Sequence, residues 1–278
     1  MEFVDTQGLH IPKLGLGTYR MQGDVCRAAV ESALALGYRH IDTAEMYANE
    51  EAVGAALAAS GLPRAEVHVT TKVWHANLAP DAIRRSFAAS LDKLACGYVD
   101  LYLIHWPSPD MDLAAALATL TRLKEEGAIR ALGVCNFPVA LLRQATEQIG
   151  APIACNQVEY HVLLDQTPLR RYAARQGIPI TAYCPLAQGR LADHPALAAI
   201  AAKHGAAPAQ VALKWLLDQD GVMAIPKAQR LESQKANLDA VALALDDADR
   251  AAIAALPKDV RCVNPGFAPA WDPPLKAA

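Results

Sequence analysis

Eight short β-prone segments recur along this 278-residue chain at intervals that leave room for a helix between each pair. They are KLGLGTY (13–19), YRHIDT (38–43), VHVTTKVW (67–74), VDLYLIHW (99–106), IRALGVCNF (129–137), IACNQVEY (153–160), IPITAYCPL (178–186) and VMAIPKA (222–228). Several have apolar residues at successive positions, as parallel strands covered on both faces do. Helical spacing fills most gaps. VCRAAVESALALG ends at Gly37, LAPDAIRRSFAASLDKL has Pro80 near its start, DLAAALATLTRLKEEG ends at Gly127, and Pro208 suits a first turn in APAQVALKWLLDQDG. This alternation predicts a sheet with helices outside it, and a closed (β/α)8 barrel spanning residues 1–278 as one domain accounts for the count. An open doubly wound sheet is the competitor, but GLGTYRMQG does not place GxGxxG between a strand and a helix.

The ends of the chain read differently. FVDTQGLHI predicts a small hairpin with Gln7-Gly8 at its turn, suited to capping one barrel end. NPGFAPAWDPP near the C-terminus is rich in Pro and Gly and predicts an ordered arm or loop rather than a helix.

Composition removes several function classes. Hydrophobic residues make up 53% of the chain and charged residues 20%, enough for a large core. The net charge is −3, from 26 Lys+Arg and 29 Asp+Glu, which does not suit a nucleic-acid surface. Six cysteines fall at neither disulfide-scaffold nor metal-ligand spacing, so reduced thiols and no metal are expected. The N-terminus lacks a signal-peptide pattern, and no stretch approaches 18 uninterrupted apolar residues. A cytoplasmic protein without a membrane partner is the expectation.

In a barrel, residues just beyond successive strand ends meet at one mouth. Asp42 ends the second segment and Tyr47 follows in its loop. Lys72 ends the third, and His105 ends the fourth within LIHWP. Each alone has an ordinary explanation: a capping acid, a loop aromatic, a snorkelling lysine, a core histidine. Their shared placement on three adjacent strands argues for a proton-transfer site. A carbonyl that accepts hydride develops negative charge on oxygen and must receive a proton. A tyrosine supplies it best beside a cation, here Lys72 held by Asp42, while a neutral His105 orients the oxygen.

These motifs, GYRHIDTAEMYANEEAVG, VTTKVW, VDLYLIHWPSP and GVCNF, occur in an order that resembles the aldo-keto reductases. Within them the chain is similar to the bacterial 2,5-diketo-D-gluconate reductases of the short B type, also described as methylglyoxal reductases. The resemblance implies NADPH-dependent reduction of aldehydes and ketones, with Tyr47 as proton donor beside Asp42, Lys72 and His105. It implies a nicotinamide end built from Gly17, Thr18, Tyr19, Asp42, Asn136 and Gln157, with Tyr183 stacking on the ring and Cys135 and Leu186 close by. Lys227, Ala228, Arg230, Ser233 and Asn237 match the segment that holds the adenosine 2′-phosphate. Ala228 and Ser233 replace more usual phosphate-binding residues, so some tolerance of NADH is expected.

Trp74 and Trp106, next to Lys72 and His105 in sequence, are expected to wall a small pocket with Tyr47 and His105, joined by Tyr19 and Trp271. It suits short aldehydes, α-ketoaldehydes such as methylglyoxal or compact keto-sugars, and Lys13, Arg20 or a backbone donor are the candidates to meet an anionic substrate. A monomer is expected. The alternative is a non-enzymatic NADPH-binding regulatory subunit, against which the complete four-residue set argues.

Overall fold

Residues 2–274 are described by the computed structural model. An antiparallel hairpin opens the chain, β1 (Phe3–Thr6) against β2 (Leu9–Pro12). Gln7 and Gly8 turn it with φ of 47° and 81°, the left-handed pair that a right-twisted two-residue hairpin requires. Strands and helices then alternate: β3 (Leu16–Gly17), α1 (Gly23–Ala35), β4 (His40–Asp42), α2 (Glu50–Ala59), β5 (His68–Val73), α3 (Pro80–Leu94), β6 (Val99–Ile104) and α4 (Leu113–Glu125). Next come β7 (Ile129–Cys135), α5 (Val139–Arg143), β8 (Ile153–Glu159), α6 (Thr167–Arg175), β9 (Ile180–Tyr183), α7 (Pro195–His204), α8 (Pro208–Leu217), β10 (Val222–Ala224), α9 (Leu231–Asp239) and α10 (Asp247–Ala254).

Strands β3 to β10 are parallel neighbours in chain order. The ring closes where Leu14 bridges Ala224 and Gly17 bridges Lys227, with Ala224 N donating to the Lys13 carbonyl at 2.7 Å. A Cβ on Gly17 would lie 2.6 Å from the Ile225 carbonyl oxygen, so only glycine lets the two edges meet this closely. The predicted (β/α)8 barrel is therefore present. All eight strands are shorter than the segments read from the sequence, and two of the differences have a visible cause. The ninth ends at Tyr183 because Cys184 turns left-handed at φ 46°, and of the run 13–19 only Leu16 and Gly17 pair with β4.

Side chains alternate across each strand. On β5, Thr71 faces outward to Glu50 of α2, whereas His68 and Lys72 face inward to His40 and Asp42 of β4. The outer layer packs the strands against the helices through residues such as Val69, Ile104, Leu117 and Leu132. The inner layer joins Leu101, Leu103, Ala131 and Met223 to Val4 and Ile11 of the hairpin, which therefore plugs the barrel floor. Among the described residues, no helix is long and apolar enough to cross a membrane.

The floor also holds two buried imidazoles, His40 and His68, edge to face at 4.8 Å between centroids. Burial lowers both pKa values; for His40 it outweighs the nearby Asp42 carboxylate, and for His68 the neighbouring His40 and Arg64 lower it further. Folding thus holds them neutral, so the unfolded chain binds more protons once pH falls below the ordinary histidine value of about 6.5. The urea midpoint is expected to be flat from pH 8 to 7 and to fall as pH drops through about 6.5. A His68→Gln variant should show a shallower fall, and an identical profile in the two proteins would contradict this account.

Candidate active site

The four candidate groups come from three consecutive strands. Asp42 is the last residue of β4, Lys72 lies near the end of β5, and His105 follows β6 directly. Tyr47 closes a single 3-10 turn, Glu45–Tyr47, after β4. Lys72 is fully buried, and its ammonium donates to Asp42 Oδ1 at 2.5 Å and to the Thr43 carbonyl at 2.7 Å. The other Asp42 oxygen accepts from Gln157 Nε2 at 2.7 Å. A buried charge pair persists only when its remaining donors and acceptors are also satisfied, and here most are.

Above this pair lies the Tyr47 ring, its centroid 5.0 Å from the Lys72 ammonium and 5.5 Å from the His105 ring. Burial pushes the Tyr47 phenol well above its ordinary pKa, and the Asp42 charge adds to it. Burial, then the Lys72 and His75 charges, pushes His105 well below its ordinary value. At neutral pH the site therefore presents a neutral phenol and a neutral imidazole. His105 Nδ1 is buried without a partner. A proton on Nε2 leaves only a bare acceptor orphaned there, the less costly choice, and makes Nε2 a donor.

The loop before α1 is pinned to this centre. Thr18 donates through both its amide and its hydroxyl to the Asp42 carbonyl, and Asn49 Nδ2 donates to the Thr18 and Met21 carbonyls. Thr43 in turn donates to Asn49 Oδ1 at 2.6 Å. Tyr19, on the same loop, sits 5.0 Å from the Tyr47 ring and is 44% exposed, at the edge of the mouth. Sequence reading passed over Asn49, although it stands in the same segment as Asp42 and Tyr47. A buried asparagine just before a helix was the available signal.

Across the mouth, Asn136 follows β7 with φ 61°, a left-handed position that asparagine tolerates. Its Nδ2 donates to the His105 carbonyl at 3.0 Å, and its Oδ1 accepts from the Tyr183 hydroxyl at 2.8 Å. Gln157 spends an amide hydrogen on Asp42, and its carbonyl oxygen makes no hydrogen bond among the described residues. Burial pushes the Cys135 thiol well above its ordinary range and Cys184 up to about 11, so both stay protonated beside the site. Leu186 is half-buried in the turn after β9.

A second group gathers where β10 meets α9. Lys227 and Arg230 are exposed, Ser233 is half-buried and Ala228 is buried. Asn237 is 5% exposed and neighbours Tyr38, whose hydroxyl donates to the Gln234 carbonyl at 2.9 Å. Gln234, which sequence reading did not flag, is fully buried and ties this loop to α1: its Nε2 donates to the Ala29 and Ala228 carbonyls, and its Oε1 accepts from Ser32.

The aromatic wall includes a member not anticipated. Trp74 lies 5.3 Å from His105, Trp106 is buried beside them, and Phe267 of the C-terminal arm meets both tryptophans at 5.7 and 5.6 Å while stacking on His75. Trp271 completes the wall 6.0 Å from Trp106. The arm is non-helical, as its composition predicts, and lies across the mouth. Its fastening starts at Glu159, the last residue of β8. Glu159 accepts from the Cys262 and Val263 amides at 2.6 and 2.8 Å and from His161 Nε2 at 2.9 Å. Burial alone would raise the Glu159 pKa, but these donors hold it below its ordinary value. Glu159, His161 and Cys262 bring donor atoms within 4.8 Å of one another. His161 Nδ1 accepts from the Leu163 amide, so both its ring nitrogens already serve the chain. At the far end Asp272 accepts from the Val139 amide at 2.9 Å. Outside the arm lies a cleft of about 720 Å³ between the loop after β6, α5 and Gly266–Ala270. Phe267 separates it from the tetrad.

One expectation fails. Lys13 lies at the opposite end of the barrel, where its ammonium donates to the Leu217 and Gln219 carbonyls and to Glu2. A residue that begins a strand sits at the barrel floor, so Lys13 has no access to the mouth.

A closed (β/α)8 barrel bearing this rim falls in the class of barrel oxidoreductases. The aldo/keto reductase family model matches residues 13–258, and the chain belongs to that family. It is 45% identical over 266 residues to methylglyoxal reductase DkgB of Escherichia coli O157:H7, covering 94% of this chain and 99% of that protein. Glyoxal reductase of Bacillus subtilis (strain 168) is 40% identical over 255 residues, covering 91% and 92%. A crystal structure of a chain provisionally assigned as 2,5-diketo-D-gluconic acid reductase B superposes with a TM-score of 0.95 at 41% identity, covering 98% of each chain.

Proposed function

We propose that this protein reduces small aldehydes and ketones, α-ketoaldehydes such as methylglyoxal foremost, with NADPH as cofactor and Tyr47 as the proton donor. The observation that carries the reading is the Lys72–Asp42 pair, buried beneath a neutral phenol and beside a neutral imidazole. NADPH, when bound, supplies the hydride.

The chain's own residues do the rest. His105 Nε2 donates to the substrate carbonyl oxygen and turns it toward Tyr47. As negative charge grows on that oxygen, the Tyr47 hydroxyl protonates it, and Lys72 stabilises the phenolate left behind. Asp42 holds Lys72 in place, and Gln157 holds Asp42. Trp74, Trp106 and Phe267 exclude water and limit substrate bulk.

The residues present fit the cofactor. The free Gln157 carbonyl oxygen is an acceptor for a carboxamide, Asn136 lies next to it with Cys135 close by, and Tyr183 offers a half-buried ring face. Gly17, Thr18, Tyr19 and Leu186 frame the same end. Lys227 and Arg230 would hold the 2′-phosphate, with Ala228, Ser233 and Asn237 lining the adenosine end. Arg230→Ala should raise the KM for NADPH about tenfold while that for NADH changes little, the cost of one charge-assisted phosphate contact. Equal effects on the two cofactors would remove Arg230 from the phosphate site. A soluble cytoplasmic monomer is part of the same proposal.

The deciding experiment follows NADPH oxidation by the purified protein with methylglyoxal, with 2,5-diketo-gluconate and without substrate. Substrate-dependent turnover of at least one carbonyl is expected. Tight NADPH binding with no turnover of either would overturn the reading in favour of a cofactor-sensing subunit.

A further inference from the structure

The arm carries one cation that the tetrad does not use. Arg261 is half-buried, and its guanidinium lies 3.9 Å from the centroid of Trp271. It makes no hydrogen bond or ion pair among the described residues, and its Nη1 is enclosed without a partner. Two carboxylates, Glu159 and Asp272, and the Tyr183 phenol are its titratable neighbours. Neither carboxylate bonds to it. Glu159 is committed to His161 and the Cys262 and Val263 amides, and Asp272 to the Val139 amide. By contrast, the half-buried Arg64 forms an ion pair with Asp100 at 2.6 Å.

An unpaired guanidinium lodged in this way is costly unless a ligand completes it. Its surroundings specify the ligand. The guanidinium lies over the Trp271 ring, and its fork of donors matches a carboxylate edge. Trp271 is also part of the pocket wall, and Tyr183, a neighbour of Arg261, donates to the Asn136 whose Nδ2 bonds to the His105 carbonyl. The cation therefore neighbours both the aromatic wall and the Asn136–Tyr183 side of the mouth. Arg20, the remaining cation considered from sequence, is exposed and lies against Tyr19 at the rim.

We propose that Arg261 is the anion-recognition residue of the substrate pocket, receiving a carboxylate at the end of an oxo-acid remote from the reacting carbonyl. The proposal rests on the tetrad being the reacting centre. It adds oxo-carboxylates to the neutral α-ketoaldehydes as a second substrate class, the neutral compounds being served by the aromatic wall alone.

A matched pair tests it: 4-oxobutanoate and its methyl ester, which differ in charge at one end, with methylglyoxal as a neutral control. For the wild type, 4-oxobutanoate should have the higher kcat/KM. In Arg261→Gln it should lose about 30-fold, mainly through KM, while the ester and methylglyoxal stay within about twofold. Arg261→Lys should recover part of the loss, and raised ionic strength should weaken 4-oxobutanoate selectively. Equal loss on all three substrates would mean that Arg261 merely supports the arm, and no loss on any would mean that it meets no substrate. A raised KM for NADPH would assign it to the cofactor. Each of these overturns the proposal. If the wild type reduces methylglyoxal but does not favour 4-oxobutanoate over its ester, the inference alone fails. If it turns over none of the three, the reductase reading fails with it.

Discussion

Tyr47→Phe should lower kcat for carbonyl reduction by about a thousandfold, within the usual range for loss of a positioned general acid. The substitution removes one oxygen and leaves the ring, so the contacts with Tyr19 and His105 at 5.0 and 5.5 Å remain possible. Thermal stability and NADPH affinity should therefore hardly change. The reason to expect a collapse in rate is that nothing else at the rim can take over the proton. His105 is held neutral by burial and already donates to the oxygen in the proposed arrangement, while Lys72 is bound to Asp42 and Thr43. Activity within tenfold of the wild type would sink the assignment of Tyr47.

Lys72→Met should be worse in two ways at once. Turnover should fall at least as far, because the phenolate left on Tyr47 would lose its cation. Unlike Tyr47→Phe, this change should also cost stability. It strands the Asp42 carboxylate in a fully buried position with Gln157 as its main remaining side-chain donor. Breaking such a pair costs about 3–5 kcal/mol. In a protein of this size that is a fall of roughly 10 °C in Tm. Adding Asp42→Asn removes the stranded charge and should restore much of the Tm without restoring activity. Separate recovery of the two properties would show that the pair serves both structure and chemistry. A double variant as unstable as Lys72→Met would mean that burial of the carboxylate is not the cause.

The parts of this molecule that were legible in the sequence are those with a local or periodic signature. Eight apolar runs at helix-length spacing are enough to imply the barrel, and the ends of three of them place Asp42, Lys72 and His105 at one mouth. Tyr47 follows from its distance beyond β4. What escaped depends on contacts between remote positions with no repeating pattern. Glu159 looked like an ordinary strand residue until the chain from 262 onward returned to it, more than a hundred residues later. Phe267 and Arg261 gain their places only through that return. Gln234 sits on a helix face whose partner is α1, at the opposite end of the chain. Lys13 is a different kind of miss. Strand direction alone assigns it to the floor, and its positive charge was weighed without that constraint.

The seam between Leu14 and Ala224 has a consequence for how the protein is made. Every other neighbour in the ring is the next strand along the chain, so those pairings have both partners available before synthesis ends. Closure alone must wait until the segment after α8 has emerged from the ribosome. Until then any sheet the nascent chain forms is open, with β3 at one edge and the newest strand at the other, each a template for unwanted strand pairing. Joining residues so far apart in sequence is also the slow kind of contact. The narrowest point of vulnerability in this protein's life is thus the interval before its last strand meets its first, rather than any moment in the turnover of the finished enzyme.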